Sequence, residues 1–382
     1  MMPYPKIKLH IVALDIPYPL DYGAAIDMYY RIRYLQAAGA EIYLHCFQYH
    51  GRQASTELNK WCKEVYYYPR KSMLKSLPIS IPYTIYSRRD DLLLKRLQEV
   101  DAPILFEGVH TSYYKSHPSL KNRIKVIRNH NIEHDYFRQL GQKAKNPIKK
   151  LFYMNESRLL KKYEYNMQDI QAFLPITTSD YSFFKQLYPD AKYSLTPPFH
   201  SFKEVSSLPG IGSYCLFHGN LGHPENIEVA IYIVKEVFSG IDVPVIIAGR
   251  DPSPLVIEAC ASISNCKLVV HPSTEDMEEL IKEAQVQVML TFQPTGMKTK
   301  LLLSLFCGRH ILANEPMLYS TGLESTCTIA NTSQQMQKRI IELMSTPFTQ
   351  ADIDARIVQL RKYYDTATNA AHIIKLLQPI SL

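Results

Sequence analysis

Short apolar runs alternate with amphipathic stretches along almost the whole chain. Residues 6–14 form a nearly continuous apolar run that predicts a buried strand. A turn-rich segment from Pro17 to Gly23 follows, and then Ile26, Tyr29, Tyr30, Ile32 and Leu35 recur at helical spacing until Gly39 stops the helix. Residues 41–47 alternate as a second strand, so the first fifty residues read as one βαβ unit, whose home is a parallel sheet covered by helices. Strands predicted at 65–68, 103–107, 124–128 and 172–176 extend that sheet. The second half repeats the alternation, with strands at 214–219, 243–249, 267–270, 286–292 and 310–314 and helices at 226–238, 254–263, 274–284 and 300–307. Each half is expected to be a doubly wound, Rossmann-like α/β domain.

A length of 382 residues agrees with two domains. Pro, Ser and Gly gather between Thr196 and Gly210, as they do where domains join. The expected organisation is an N-terminal domain over 1–196, a linker over 197–212, a C-terminal domain over 213–364, and a last helix over 365–382 that packs back on the N-terminal domain. With 46% hydrophobic and 21% charged residues, disordered, collagenous and coiled-coil classes are set aside. The longest apolar stretches fall far short of the roughly 18 residues a membrane-spanning helix needs. Lys6 and Lys8 put charge inside the first apolar run, unlike a secretory signal, so a cytoplasmic location is expected. Seven cysteines without a C-x-x-C pair suggest neither a disulfide framework nor a thiolate zinc site, and they read as small core residues.

Charge is distributed unevenly. Residues 1–190 carry 28 Lys and Arg against 18 Asp and Glu, a balance of +10, whereas the remainder carries 15 against 18, a balance of −3. A basic first half favours an anionic partner, whether a membrane surface, a lipid-linked phosphate or nucleic acid. Lys145, Lys149, Lys150, Arg158, Lys161 and Lys162 surround Leu151, Phe152, Met154, Leu159 and Leu160, a pattern basic and amphipathic enough to rest on an anionic membrane. Lys71, Lys75, Arg88 and Arg89 flank the apolar residues 77–86. A core-facing helix with a solvated charged face would show the same spacing.

Open parallel sheets bind ligands outside the carboxyl ends of their strands, so the loops there carry the candidate chemistry. In the C-terminal half they hold Gly219 and Asn220, then Gly249 and Arg250, then Thr295, Gly296, Lys298 and Lys300. Thr295 and Gly296 before a helix expose backbone N–H groups while Lys298 and Lys300 add charge, together suiting a diphosphate, and Arg250 can add a second cationic contact. In the N-terminal half Glu107 and His110 close a strand, and Tyr22 and Gly23 follow the first one. A lone Gly23 is no dinucleotide fingerprint, because the G-x-G-x-x-G spacing is absent. His130 and Glu133 stand at i and i+3 without a third ligand, so a structural cap explains them as well as a metal does.

The stretch Thr295-Gly296-Met297-Lys298-Thr299-Lys300, continuing to Gly308-Arg309, resembles a block of the retaining nucleotide-sugar glycosyltransferases of family 4, which have the GT-B fold of two Rossmann-like domains facing across a cleft. Phe217 to Leu221 with Pro224-Glu225-Asn226, Ile247 to Arg250, and Arg128 to His134 are similar to further blocks, so the likeness spans nearly the whole chain. The resemblance implies a C-terminal domain that holds the nucleotide diphosphate sugar and an N-terminal domain that holds the acceptor. It matches Lys300 to the diphosphate-binding Lys, Lys298 to its Arg neighbour, His110 to the active-site His beside the reacting carbon, and Gly23, beside Tyr22, to the acceptor loop. Glu107 would orient His110 or bind an acceptor hydroxyl. One departure matters: the family's Glu-x7-Glu pair falls here at Thr295 and Leu303, with Glu324 as a candidate substitute acid.

The expected function is a cytoplasmic hexosyltransferase, peripheral on the inner face of the membrane, that needs no metal and no cofactor. It would move a hexose with retention from a nucleotide diphosphate sugar to a glycan or lipid-linked saccharide in surface polysaccharide or glycoconjugate assembly. The missing Glu pair keeps a catalytically silent GT-B-like module that binds a nucleotide sugar or a glycan as the alternative. A nucleotide-sugar epimerase and a nucleic-acid binder are weaker readings, the latter because no RNA- or DNA-binding motif accompanies the charge, and nucleic acid is not expected as a partner.

Overall fold

The computed structural model describes residues 6–49, 51–72, 80–293 and 299–378. Two compact units emerge: Met1–Ser201 with Tyr363–Leu382, and Phe202–Lys362.

The first unit is built on a seven-stranded parallel sheet. Its strands are β1 (Ile7–Ala13), β2 (Ala40–Gln48), β3 (Glu64–Pro69), β4 (Ile104–Glu107), β5 (Lys125–Asn129), β6 (Ala172–Pro175) and β7 (Lys192–Tyr193), in the order β3-β2-β1-β4-β5-β6-β7. β1 is buried along nearly its whole length and pairs with β2 from Ile7 opposite Ala40 to Ala13 opposite Cys46. Such burial on both faces is why the strand reads as a continuous apolar run. Helices α1 (Gly23–Ala37), α2 (Tyr83–Tyr86), α3 (Asp91–Glu99), α4 (Glu133–Lys143), α5 (Pro147–Glu164) and α6 (Thr178–Leu187) connect the strands. One core cluster contains Leu9, Ile11, Ile32, Leu35 and Ile42 together with Ala370, Ile373, Ile374 and Leu377 from the last helix of the chain, Thr366–Leu377. A second cluster contains Phe106, Leu97, Phe137, Leu160 and Phe184.

The second unit carries β8 (Cys215–Asn220), β9 (Val245–Arg250), β10 (Cys266–Val270), β11 (Val286–Met289), β12 (His310–Ala313) and β13 (Thr328–Ile329), in the order β10-β9-β8-β11-β12-β13. Its helices are α7 (Pro224–Tyr232), α8 (Pro254–Ala261), α9 (Thr274–Glu283), α10 (Thr299–Cys307), α11 (Glu315–Leu318), α12 (Ser333–Met344) and α13 (Gln350–Tyr364). The predicted helix over 226–238 ends earlier: α7 closes at Tyr232 and Ile233–Val237 widens into a π turn. The predicted strand over 286–292 stops at Met289, because Thr291 turns its backbone N–H to the Asn314 side chain instead of the ladder. β7 and β13 are two residues each, too short for a period-2 signal.

The segment read as a linker is tied down at both ends. Phe199 is fully buried in the first core, and its N–H donates to Asp27 Oδ1 at 2.6 Å. Ser207 Oγ donates to the Gly308 carbonyl at 2.7 Å, and Gly210 pairs with Phe348, so both belong to the second unit.

Candidate functional site

Each sheet reverses its strand order once, between β1 and β4 in the first unit and between β8 and β11 in the second. Ligands of open parallel sheets sit at the carboxyl edge of such a reversal.

At the first reversal, Gly108 follows β4 with φ of 72°, and a Cβ there would stand 3.2 Å from His110 Nδ1. Only glycine takes this turn without strain while leaving room for the imidazole. His110 Nε2 lies 3.5 Å from Glu133 Oε2, and the two side chains are 17% and 4% exposed. Burial, with the positive charge of Arg88, His130 and Arg70, holds the His110 imidazole well below its usual range and therefore neutral. Burial and the neighbouring Glu164 push the Glu133 carboxyl up to about 8, so it keeps its proton at neutral pH. An uncharged imidazole beside a protonated carboxyl is a pair that can accept or hand on a proton.

Glu164 explains the rest of that loop. Its carboxylate accepts from the backbone N–H groups of Glu133 and His134 at 2.9 and 3.1 Å, and pairs with His134 Nδ1 at 2.6 Å. It thus caps α4 from a distant helix, and His134 is structural.

Glu107 departs from the expectation that it orients His110. Its carboxylate is fully buried and faces Arg31 NH2 at 2.5 Å and His130 Nε2 at 3.3 Å, with no bond to His110 among the described residues. Arg31 also pairs with Asp27 at 2.6 Å, Arg128 Nε pairs with Asp27 at 3.0 Å, and Arg128 donates to the carbonyls of Thr196 and Pro197. Two buried acids neutralise two buried guanidiniums, and removing one partner would leave an uncompensated charge in the core. Glu107 is committed to this network.

The loop after β1 is held by Arg52, which bonds the carbonyls of Ile16 and Pro19 at 3.0 and 2.9 Å, pairs with Asp21, and approaches Asp15 at 3.5 Å. Tyr22 donates to Asp15 Oδ2 at 3.1 Å under the Arg52 guanidinium, and Gly23 opens α1 behind it. Tyr22 and Gly23 therefore line the carboxyl edge beside β1, in the same unit as His110.

The second reversal is built differently. β8 and β9 meet with Gly219 opposite Gly249, and a Cβ on Gly249 would fall 1.8 Å from the Gly219 carbonyl oxygen. That approach admits glycine alone. Asn220 Oδ1 accepts from the Gly222 N–H at 3.0 Å, and its carbonyl accepts from Asn226 Nδ2 at 2.9 Å. Asn226 Oδ1 in turn accepts from Lys300 Nζ at 3.1 Å, across the reversal from α7 to α10. The ammonium also stands 4.9 Å over the Phe217 ring. His218 Nε2 bonds Ser304 Oγ at 3.0 Å; burial, helped by Lys300, pulls its pKa down to about 3. Arg250 is exposed at the end of β9. Thr295, Gly296 and Lys298 lie outside the described residues. Leu303, at the position of the missing acid, is a half-buried apolar residue of α10, and Glu324 is exposed on a short turn ahead of β13.

No family model matches the chain. A Klebsiella pneumoniae protein described as an uncharacterized 44.6 kDa protein in the cps region is 24% identical over 356 residues, 86% of each chain. A glycosyltransferase from Rickettsia africae superposes with a TM-score of 0.65 at 11% identity over 98% of both chains. Anabaena HepE in complex with UDP and glucose superposes with 0.61 at 12% identity, covering 97% of this chain and 99% of the other. The chain has the GT-B fold. Within that fold, sequence reasoning found the edges that carry His110 and Lys300 but overlooked Asn226 as the residue that anchors the lysine, and gave Glu133 no part beside His110. In the sequence Glu133 was weighed only with His130, as a metal ligand or a cap, and what raises its pKa besides burial is Glu164, thirty-one residues further along the chain.

Proposed function

We propose that the protein is a retaining, metal-independent glycosyltransferase, which moves a hexose from a nucleotide diphosphate sugar to a glycan or lipid-linked saccharide acceptor. The observation that carries this reading is the Lys300 ammonium, held by Asn226 at the strand-order reversal of the second sheet in a GT-B chain. A cation at that edge suits a leaving diphosphate, where stabilisation of developing charge contributes most to rate. In the reaction the bond from the sugar's anomeric carbon to the diphosphate breaks, a bond to the acceptor oxygen forms, and the acceptor proton passes to the leaving phosphate. His110, neutral at the edge of the first unit, would sit beside the transferred sugar, with Tyr22 and Gly23 toward the acceptor. Gly219, Asn220, Gly249, Arg250, Thr295, Gly296 and Lys298 would complete the donor site with backbone groups and charge. The cps region of the Klebsiella relative supports surface polysaccharide assembly as the setting.

No described helix is long and apolar enough to cross a membrane. Peripheral seating on anionic lipid at the inner face is supported by α5, where Ile148 and Leu151 are 78% and 73% exposed between Lys145, Lys149 and Lys150.

One observation favours the silent binding module: an apolar Leu303 stands where the resemblance places an acid. A thermal-shift panel of UDP, GDP and their sugars, run beside a donor-hydrolysis assay, decides. A nucleotide at a hundredfold excess over its dissociation constant stabilises by about 2.7 kcal/mol. Stabilisation by one base with hydrolysis or transfer supports the enzyme, binding without either supports the module, and no stabilisation overturns the enzyme and leaves only a glycan-binding module.

A further inference from the structure

A cavity of about 400 Å³ opens at the carboxyl ends of β2 and β3 in the first unit, lined in part by Tyr49, Arg52, Arg70, Lys71 and Tyr83. The cations around it divide into two kinds. Arg52 is compensated by Asp15 and Asp21. Arg70 and Lys71 on the wall, and Arg88 behind it, take part in no ion pair among the described residues.

Arg88 is the unusual member. It is 4% exposed, and its hydrogen bonds go to two carbonyls, Leu14 O at 3.2 Å from Nε and Thr84 O at 2.6 Å from NH1. Burial, followed by the charge of Arg70, lowers its pKa to about 9. Leaving a buried guanidinium without an acid is costly, and proteins normally pair it. The acids within electrostatic reach of Arg88 and Arg70 are Asp15, Glu133 and Glu156; Glu133 keeps its proton beside His110, and the other two have other commitments. Asp15 accepts from the Ile16 N–H and Tyr22, and Glu156 accepts from the Tyr83 and Thr84 N–H groups at 2.6 and 3.1 Å. Arg70 is meanwhile fixed in place, its Nε bonded to Ser87 Oγ at 3.0 Å and its guanidinium 4.1 Å over the Tyr49 ring and 5.4 Å over Tyr83. The Arg70 guanidinium is thus held at the wall of an open space, with Lys71 exposed on the same wall and Arg88 buried beyond it, and among the described residues no acidic side chain lines that space.

We infer that this cavity receives an oxyanion, a phosphoryl or carboxylate group, carried by a saccharide acceptor. The inference rests on the glycosyltransferase reading only for the word acceptor; the anion site stands on the cavity and its cations. Planar guanidiniums match the two oxygens of either group, and the Tyr49 and Tyr83 rings on which Arg70 lies hold it in place on that wall.

The test is isothermal titration of the full chain with glucose, glucuronate and glucose 6-phosphate, repeated on the double variant Arg70→Gln, Lys71→Gln, which spares the buried Arg88. UDP is titrated into the same preparations. Wild type should bind one charged sugar at least tenfold tighter than glucose, and which one tells carboxylate from phosphoryl. The double variant should lose that preference to within twofold while its UDP affinity is unchanged. Equal binding of all three sugars by wild type, or a preference that survives in the double variant, overturns the anion site. With GDP titrated alongside, absent binding of both nucleotides in a wild type that still selects a charged sugar would instead remove the nucleotide-sugar reading and leave the site standing.

Discussion

The two carboxyl edges of this molecule solve the placement of functional groups in opposite ways. The first unit crowds its edge with titratable side chains, among them His110 beside Glu133, the Asp27–Arg31–Glu107–Arg128 network behind them, and Arg70 and Arg88 across the loops. At the second, space is cleared with Gly219 and Gly249 and one ammonium is fixed by an amide. The first edge should respond to charge and pH, the second to volume. This division fits the proposed reaction, in which the first unit sets a neutral imidazole beside the transferred sugar while the second presents backbone and one ammonium to the leaving diphosphate.

The sharpest way to break the comparison is at His110. Its proposed part belongs to the transition state, so His110→Ala should lower turnover by roughly 10²–10⁴-fold, the usual reach of a positioned acid–base group, with nucleotide diphosphate affinity nearly unchanged. Transfer or donor hydrolysis measured beside calorimetric UDP binding shows the split. Equal losses in both would mean that the two edges are not separate in function.

Lys300→Ala should do the reverse. Removing the ammonium should weaken nucleotide diphosphate binding by about 1.5–3 kcal/mol, the scale of hydrogen bonds to charged groups, or roughly ten- to hundredfold, without altering the first unit. Asn226→Ala should follow in the same direction with a smaller effect, since it only positions the lysine. Unchanged affinity in Lys300→Ala would sink the diphosphate assignment.

Volume sensitivity is tested by Gly249→Ala. A methyl group 1.8 Å from the Gly219 carbonyl cannot be accommodated without moving β8 from β9. A loss of about 1–3 kcal/mol in urea unfolding is expected, the usual cost of overpacking, together with weaker nucleotide binding. An alanine tolerated with full stability would show that the strands have room to part.

Charge sensitivity is tested by pH. Glu133 has a folded pKa raised to about 8 from an ordinary 4.5, so its contribution to stability is fully present below 4.5 and is lost as pH rises toward 8. Glu133→Gln cannot ionise and should gain on wild type across that window, by on the order of 1–2 kcal/mol at pH 8 once relaxation around a buried acid is allowed for. His110 has a lowered pKa and works the other way, its contribution being lost as pH falls below 6.5. Thermal unfolding of both variants between pH 4.5 and 8.5 separates the signs, and parallel curves would contradict both assignments.

The same contrast governs what could be read without a structure. Both sheets were legible because a buried parallel strand is a run of apolar residues, and the edges followed from the strand ends. The glycine edge was partly legible too, since Gly219 and Gly249 stand at the ends of apolar strands and Lys300 at the start of a helix. The charged edge was not. Glu107 looked like a partner for His110 because it is three residues away, yet Arg31, seventy-six residues away, takes its carboxylate. Arg88 appeared only as one of several basic residues flanking an apolar stretch, and nothing local distinguishes a buried guanidinium from a solvated one.

The smallest effect on the chemistry, and the largest on location, is expected from α5. Ile148, Leu151 and Met154 lie three residues apart on one exposed face, and the acids of that helix, Glu156 and Glu164, are buried. Its solvent face is therefore apolar and cationic without an opposing charge, as an interfacial helix requires. Each lysine near an anionic bilayer contributes about 1 kcal/mol, screened over about 8–10 Å at moderate salt. Reversing Lys149, Lys150, Lys161 and Lys162 to Glu should abolish sedimentation with anionic liposomes at low salt, and Ile148→Asp with Leu151→Asp should weaken it at every salt concentration. Transfer to a water-soluble acceptor should be unchanged in the Ile148→Asp, Leu151→Asp variant, since both side chains are exposed at the start of α5, the end away from Glu164. Wild type bound equally by neutral and anionic vesicles would remove the electrostatic argument and leave α5 an ordinary solvated helix.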